Sequence, residues 1–158
     1  MDLIRETSRK DIHVFVCGLT GSGKTTSTIR AIEKGWKGGA IFFNNNKFPD
    51  KDLGPGIWRT VSRDTPLPVI FRGLQKGLKL NYKTERSRAR QAAEVAMVLY
   101  AAMEYEPLSR PTKFIIDEAH FLNNYRPAVK QMEELAKAGR SQGLLGVFLT
   151  QRPADLDK

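Results

Sequence analysis

Residues 13–30 read HVFVCGLTGSGKTTSTIR, and this stretch decides the fold of the chain. A short apolar segment leads into three glycines, a lysine and two threonines, and the residues after them favour a helix. The segment 18–25, GLTGSGKT, fits the phosphate-loop pattern G-x-x-x-x-G-K-[ST]. Glycines allow the backbone N–H groups to converge on a phosphate, and the N-terminus of the helix adds positive potential there. The stretch therefore predicts a strand, a phosphate-binding loop and a helix.

Each polar position of this loop has an expected task. Lys24 should reach the β- and γ-phosphates of ATP, and the Thr25 hydroxyl should bind Mg²⁺. A glycine-rich turn that fits the pattern by chance is disfavoured, because an apolar strand precedes the loop and a helix follows it. The remaining expected nucleotide contacts are Gly18, Thr20, Gly21, Ser22, Gly23 and Thr26.

A second acidic site follows another apolar segment in FIIDEAH, residues 114–120. A buried strand that ends in a carboxylate places the charge at the carboxyl edge of the sheet, where the phosphate loop also opens. We expect Asp117 to bind Mg²⁺ and Glu118 to polarise the attacking water as general base. The alternative is that the two carboxylates merely cap the next segment. His120 fits a contact near the γ-phosphate and simple packing equally well.

The third informative stretch is LLGVFLTQRPADLD, residues 144–157. It predicts a strand that ends in Gln151, whose amide can donate to the γ-phosphate and accept from the attacking water. An ordinary polar strand end is the alternative. Upstream, Arg140 can stabilise charge on a transferring phosphoryl group, within its own subunit or across a subunit interface, although spacing alone fits a surface arginine as well. Arg152 is a second candidate for that role.

The alternation of strands and helices predicts an α/β three-layer sandwich: a mainly parallel central sheet with helices on both faces. With the phosphate-loop pattern, this arrangement resembles the RecA-like P-loop NTPases. We expect residues 1–158 to form a single P-loop ATPase domain with an irregular insert at about 44–83. Thr84 is the expected N-cap of a long helix that ends before Pro107. Expected strands are DIHVFVC, GAIFFN, TKFIID and LLGVFLT, with shorter candidates IWRTV, PVIFRGL and LKLNYK, and expected helices cover 24–34 and 127–139.

Composition narrows the class of protein. The chain has 158 residues and a formal net charge of +9, which favours a polyanionic partner such as nucleic acid. No apolar stretch approaches the roughly 20 residues that span a bilayer, and MDLIRETSRKD lacks a signal-peptide core. We therefore expect no membrane contact and a cytoplasmic location, in a host cytoplasm or a virion if the protein is viral. The single cysteine, Cys17, excludes an internal disulfide, and its place in an apolar strand predicts a small core residue.

Three segments, GLTGSGKTTS, FIIDEAHFL and LAKAGRSQGLLGVFLTQRPADLDK, together resemble the HerA/FtsK group of P-loop ATPases. The resemblance implies a ring-forming motor, usually hexameric, that moves double-stranded DNA with ATP and Mg²⁺. It implies that Glu118 is the catalytic glutamate, Gln151 the γ-phosphate sensor and Arg140 a charge donor acting in trans. The short chain is most similar to the viral genome-packaging branch.

Two features depart from that group. Members usually continue with another strand and helix where this chain stops at Lys158, so the sheet lacks that strand, another segment supplies it, or the chain is trimmed. In addition, FFNNN at residues 42–46 stands where many relatives have an acidic residue.

A DNA-moving ring should present basic side chains to phosphates without reading bases. Three alternatives remain: a nucleotide-binding assembly or regulatory ATPase that does not act on DNA, a two-lobed DEAH helicase, for which the chain is too short, and a small-molecule kinase. The candidate DNA contacts are Lys47, Lys51, Lys76, Lys79, Lys83, Arg86, Arg88 and Arg90.

Overall fold

The computed structural model of this chain describes residues 2–19, 21–45, 48–105 and 111–151. Six strands form one sheet in the order β1-β6-β5-β2-β4-β3, and every neighbouring pair is parallel. From β1 at one edge, the chain passes to β2 near the middle and then to β3 at the opposite edge. β4 then lies between β3 and β2, and β5 and β6 fill the space between β2 and β1. The strands are β1 Val14–Cys17, β2 Gly39–Asn44, β3 Trp58–Ser62, β4 Lys79–Lys83, β5 Thr112–Ile116 and β6 Leu144–Thr150.

The register brings the carboxyl ends of three strands to nearly the same level. Cys17 of β1 pairs with Thr150 of β6, and Ile116 of β5 pairs with Phe148 of β6. Because all three strands point the same way, the residues that follow them emerge at one edge of the sheet. This carboxyl edge is where ligands bind in open parallel α/β sheets.

Helices cover both faces of the sheet and confirm the expected three layers. α1 and α2 pack on one face, where Ile29, Ile32 and Trp36 join the inner side chains of β1, β5 and β6. α3, α4 and α5 cover the opposite face, on the larger apolar cluster. The helices are α1 Leu3–Ser8, α2 Lys24–Gly35, α3 Leu67–Gln75, α4 Arg88–Glu104 and α5 Arg126–Ala138.

The segment at about 44–83 is more regular than expected, since it contributes β3, α3 and β4 to the domain. The candidate strand PVIFRGL is wrong, because these residues lie in α3. Ile70, Phe71 and Leu74 recur at the spacing of one helix face and are buried against the sheet. A short apolar run fits either element from periodicity alone, and here tertiary packing selects the helix. IWRTV and LKLNYK do form the strands β3 and β4.

Two further details of the sequence prediction are wrong, and one helix was not predicted. Thr84 is not the N-cap of α4; the Ser87 side chain accepts the Arg90 N–H at 3.2 Å instead, while Thr84 is buried and donates to the Asn44 carbonyl. Cys17 is exposed, because β1 is an edge strand with only one face covered by helices. The short helix α1 was not anticipated.

Within the residues that the structure describes, no helix combines the length and apolarity needed to cross a lipid bilayer.

Candidate active site

The loop that follows β1 has the backbone of a phosphate-binding loop. Gly21 and Gly23 have φ values of 76° and 77°, in the left-handed region that side chains disfavour, and Gly23 is the N-cap of α2. The Gly18 N–H donates to the Thr150 carbonyl at 3.3 Å and so ties the start of the loop to the end of β6. Ser22 N–H donates to the Leu19 carbonyl within the loop. Thr20, another expected contact, lies outside the described residues.

The Lys24 side chain folds back over this loop. Its ammonium group donates to the carbonyl oxygens of Gly18 at 2.7 Å and Leu19 at 2.9 Å. These contacts hold the positive charge beside the first turn of α2, where the helix N-terminus already favours an anion. The predicted role of Lys24 at the phosphates is compatible with this position.

Thr25 and Asp117 meet at the carboxyl edge although 92 positions separate them in the sequence. The Thr25 hydroxyl donates to Asp117 Oδ2 at 2.8 Å. Burial raises the pKa of Asp117, so its charge is incompletely solvated and would gain from a nearby cation. A hydroxyl and a carboxylate oxygen are donors that suit Mg²⁺, which commonly uses one or two protein oxygens together with phosphate oxygens and water. The described residues contain no cluster of three or more His, Cys, Asp or Glu side chains that could hold a metal by itself.

Glu118 has an unusual backbone that directs its side chain. Its φ of 52° makes it the one non-glycine with positive φ in the described part of the chain, and a conformation of this kind at a candidate catalytic residue is costly unless its surroundings hold it. Its backbone N–H donates to Asp117 Oδ1 at 2.8 Å. Gln151, at the end of β6, donates from Nε2 to Glu118 Oε1 at 2.7 Å. The predicted base and the predicted sensor are thus in direct contact.

His120 belongs to the same cluster. Its Nδ1 lies 3.2 Å from Thr150 Oγ1 and 3.5 Å from Glu118 Oε2, and its ring packs on Phe121 with centroids 4.1 Å apart. Sequence reasoning left its role open between a site contact and packing. The structure gives it both kinds of contact.

One open cleft joins these elements. It measures about 230 Å³ and is bordered by the phosphate loop on one side and by the ends of β5 and β6 on the other. Phe48 also borders it, a residue that sequence reasoning missed because nothing in its local pattern points to a ligand. An edge contact with Phe42, at 5.7 Å between ring centroids, holds its ring there. The lining residues are Gly21, Gly23, Lys24, Thr25, Thr26, Phe48, Glu118 and Gln151.

Arg140 is not part of this cluster. It lies in the short 3₁₀ turn Gly139–Gln142, just before β6 begins, and therefore at the amino edge of the sheet. There the pKa of His13 is lowered by burial and, to a lesser extent, by the positive charge of Arg140. A role for Arg140 within its own subunit's cleft does not fit this position, so the role across an interface stays a prediction. Arg152 lies outside the described residues.

The candidate DNA contacts divide between the two edges of the sheet. Lys79 begins β4 at the amino edge and donates to the Trp36 carbonyl at 2.9 Å. At the carboxyl edge, Lys83 pairs with Asp50 and Arg90 with Glu85, whereas the guanidinium of Arg88 lies 3.9 Å from the ring centroid of Phe121. Lys51, Lys76 and Arg86 are exposed, and Lys47 is outside the described residues.

Comparison with solved structures shows the same fold in a viral protein. The genome packaging NTPase B204 from Sulfolobus turreted icosahedral virus 2, in complex with AMPPCP, matches with a TM-score of 0.60 and 21% identity over 94% of this chain and 69% of that chain. The same NTPase in complex with ATP-gammaS matches with a TM-score of 0.56 and 20% identity, over 94% of this chain and 68% of that one. No protein-family model and no curated protein sequence matches this chain. The expected α/β fold, with a parallel sheet between two layers of helices, is confirmed, and it is the fold of that packaging NTPase.

Proposed function

We propose that this protein is a Mg²⁺-dependent ATPase that moves double-stranded DNA, as a genome-packaging or DNA-pumping motor. The observation that carries the proposal is the convergence of three strand ends on one cleft. Lys24 and Thr25 follow β1, Asp117 and Glu118 follow β5, and Gln151 follows β6. The fold shared with a packaging NTPase that binds ATP analogues supports the same function.

The phosphate loop binds the triphosphate in this proposal. The N–H groups around Gly21 and Gly23 donate hydrogen bonds to phosphate oxygens, and Lys24 exchanges its two carbonyl partners for the β- and γ-phosphates. The exchange costs little because the ammonium group already lies beside the loop.

Thr25 and Asp117 would hold Mg²⁺, since their oxygens are adjacent and at the right edge of the sheet. When bound, the ion neutralises charge that develops on the β- and γ-phosphates. The raised pKa of Asp117, a result of burial, indicates that this carboxylate is poorly stabilised without a cation nearby.

Glu118 acts as the general base. It takes a proton from water while the water oxygen attacks the γ-phosphorus, the bond between that phosphorus and the β–γ bridging oxygen breaks, and ADP and inorganic phosphate leave. Gln151 donates a hydrogen bond to Glu118 in this structure. When nucleotide binds, the Gln151 amide turns toward the γ-phosphate and the water, and Glu118 Oε1 becomes available to accept the proton.

The proposed partner is DNA, and the proposed assembly is a ring, taken as a hexamer. A net charge of +9 favours a polyanion, and phosphate contacts need no base recognition. In a ring, Arg140 at the amino edge of one subunit is exposed and available to the cleft of its neighbour. An arginine supplied in this way stabilises the charge of the transition state.

The test is the rate of ATP hydrolysis with and without double-stranded DNA. We expect DNA to stimulate hydrolysis at low salt and the stimulation to fall as salt rises, because phosphate contacts release counterions. Glu118→Gln should lose nearly all turnover and retain ATP binding, whereas Lys24→Ala should weaken ATP binding itself.

Normal hydrolysis by Glu118→Gln would refute the assigned base. A rate of hydrolysis that DNA leaves unchanged at low salt would instead favour the alternative, an assembly or regulatory ATPase that does not act on DNA. Sizing the protein with a slowly hydrolysed ATP analogue tests the ring.

A further inference from the structure

The two carboxylate oxygens of Glu118 differ in their hydrogen bonding. Oε1 accepts the hydrogen bond from Gln151, but Oε2 is buried and has no hydrogen-bond partner among the described residues. A buried carboxylate oxygen without a donor is unfavourable. The nitrogen that approaches it is His120 Nδ1, at 3.5 Å, which is just beyond a good hydrogen bond.

The imidazole of His120 is itself well fixed. Its side chain is only 8% exposed, Nδ1 lies 3.2 Å from Thr150 Oγ1, and the ring packs on Phe121. The guanidinium of Arg88 lies over the Phe121 ring, 3.9 Å from its centroid. The Nδ1 atom therefore lies within reach of two oxygens, at 3.2 Å from Thr150 Oγ1 and 3.5 Å from Glu118 Oε2.

We propose that His120 is a positioning residue that takes hold of Glu118 when nucleotide binds. This inference rests on the proposed ATPase function. Once Gln151 turns to the γ-phosphate, Oε1 becomes available to the attacking water. His120, in the tautomer with its proton on Nδ1, then donates to Oε2 and keeps the carboxylate aimed at that water. Without this hold, the side chain of Glu118 is free to rotate away, and turnover falls while ATP binding is retained.

The chain supplies a matched control, because it has just two histidines. His13 is also partly buried, but at the amino edge, where its Nδ1 accepts the Gly146 N–H at 2.8 Å. Replacing it by asparagine keeps an acceptor there and lies far from the chemistry. His13→Asn therefore reports what a histidine substitution does to stability alone.

The experiment compares wild type, His120→Leu, His120→Asn and His13→Asn for kcat, KM, binding of a fluorescent ATP analogue and thermal stability. We expect His120→Leu to lower kcat by roughly 10–100-fold with little change in nucleotide affinity, as for other residues that orient a catalytic group. His120→Asn, whose amide N–H can occupy the place of Nδ1, should turn over faster than His120→Leu. His13→Asn should keep the wild-type kcat.

A second comparison tests whether His120 acts through Glu118. In a protein that already carries Glu118→Gln, His120→Leu should lower the residual rate little further, because residues that act together are not additive. The proposal is overturned if His120→Leu keeps the wild-type kcat, if His120→Asn is no faster than His120→Leu, or if the two losses add fully. A wild-type protein without ATPase activity, or an active Glu118→Gln, would instead refute the proposed function.

Discussion

The buried ammonium group of Lys113 offers a quantitative test of the packing between β5 and the helices on that face of the sheet. It is the second residue of β5 and is 0% exposed, on the sheet face covered by α1 and α2. Its ammonium group donates to the Arg9 carbonyl at 2.7 Å and lies 4.9 Å from the centroid of the Trp36 ring. No carboxylate forms an ion pair with it among the described residues. Burial lowers its pKa from 10.5 to about 8, against a smaller opposing effect of Asp11.

This pKa gives stability a defined dependence on pH. Between pH 8 and 10.5 the folded protein has lost the Lys113 proton and the unfolded chain still holds it, so the free energy of unfolding rises with pH. Below pH 8 both states are protonated and the cost of burying the charge is constant. One pH unit corresponds to about 1.4 kcal/mol, so the shift from 10.5 to about 8 limits the whole change to about 3.5 kcal/mol.

The assay is urea unfolding of wild type and Lys113→Met at pH 7.5, 8.5, 9.5 and 10. Methionine has similar volume and no charge, so subtracting its curve removes the contribution of every other titrating group. At pH 7.5 we expect the free energy of unfolding of Lys113→Met to exceed that of wild type. By pH 10 this difference should shrink by about 2–3 kcal/mol. A difference that stays constant over this range would refute the reasoning, because Lys113 would then not titrate in the window.

Three other outcomes are expected. If Arg140 acts across an interface, Arg140→Ala and Glu118→Gln should each be nearly inactive, and mixing the two should restore turnover, since mixed rings contain intact sites; no recovery on mixing would count against the trans role. Phe48→Ala should weaken ATP binding, measured with a fluorescent analogue, more than Phe48→Leu does, because Phe48 borders the cleft; equal affinities for all three proteins would remove Phe48 from the site. Phe71→Ala removes a buried side chain of α3 and should cost about 3–5 kcal/mol in urea unfolding, whereas a loss under about 1 kcal/mol would contradict its place in the core.

The candidate site was predictable from the sequence wherever a motif fixes chemistry and position together. A phosphate loop requires a strand before it and a helix after it, so Lys24 and Thr25 could be placed from 18–25 alone. Asp117 and Gln151 could be placed because each follows an apolar run that reads as a buried strand. The parallel arrangement then brought them to the same edge.

Other features depended on contacts between distant segments. PVIFRGL reads as a strand or a helix with equal ease, and only its packing on β2 and β4 made it α3. Cys17 reads as a core residue, but its exposure depends on β1 being at an edge. No local pattern predicts that Phe48 borders the cleft or that Gln151 bonds to Glu118.

The sequence by itself determined the phosphate loop, the acidic pair after β5, the polar end of β6 and the parallel α/β class, because each of these rests on local residue order and periodicity. Only the tertiary structure decided the lateral order of the strands and the contacts that joined Glu118 to Gln151 and His120. The physical reason is that strand order and side-chain contacts depend on which surfaces bury each other, and that choice involves residues separated by most of the chain.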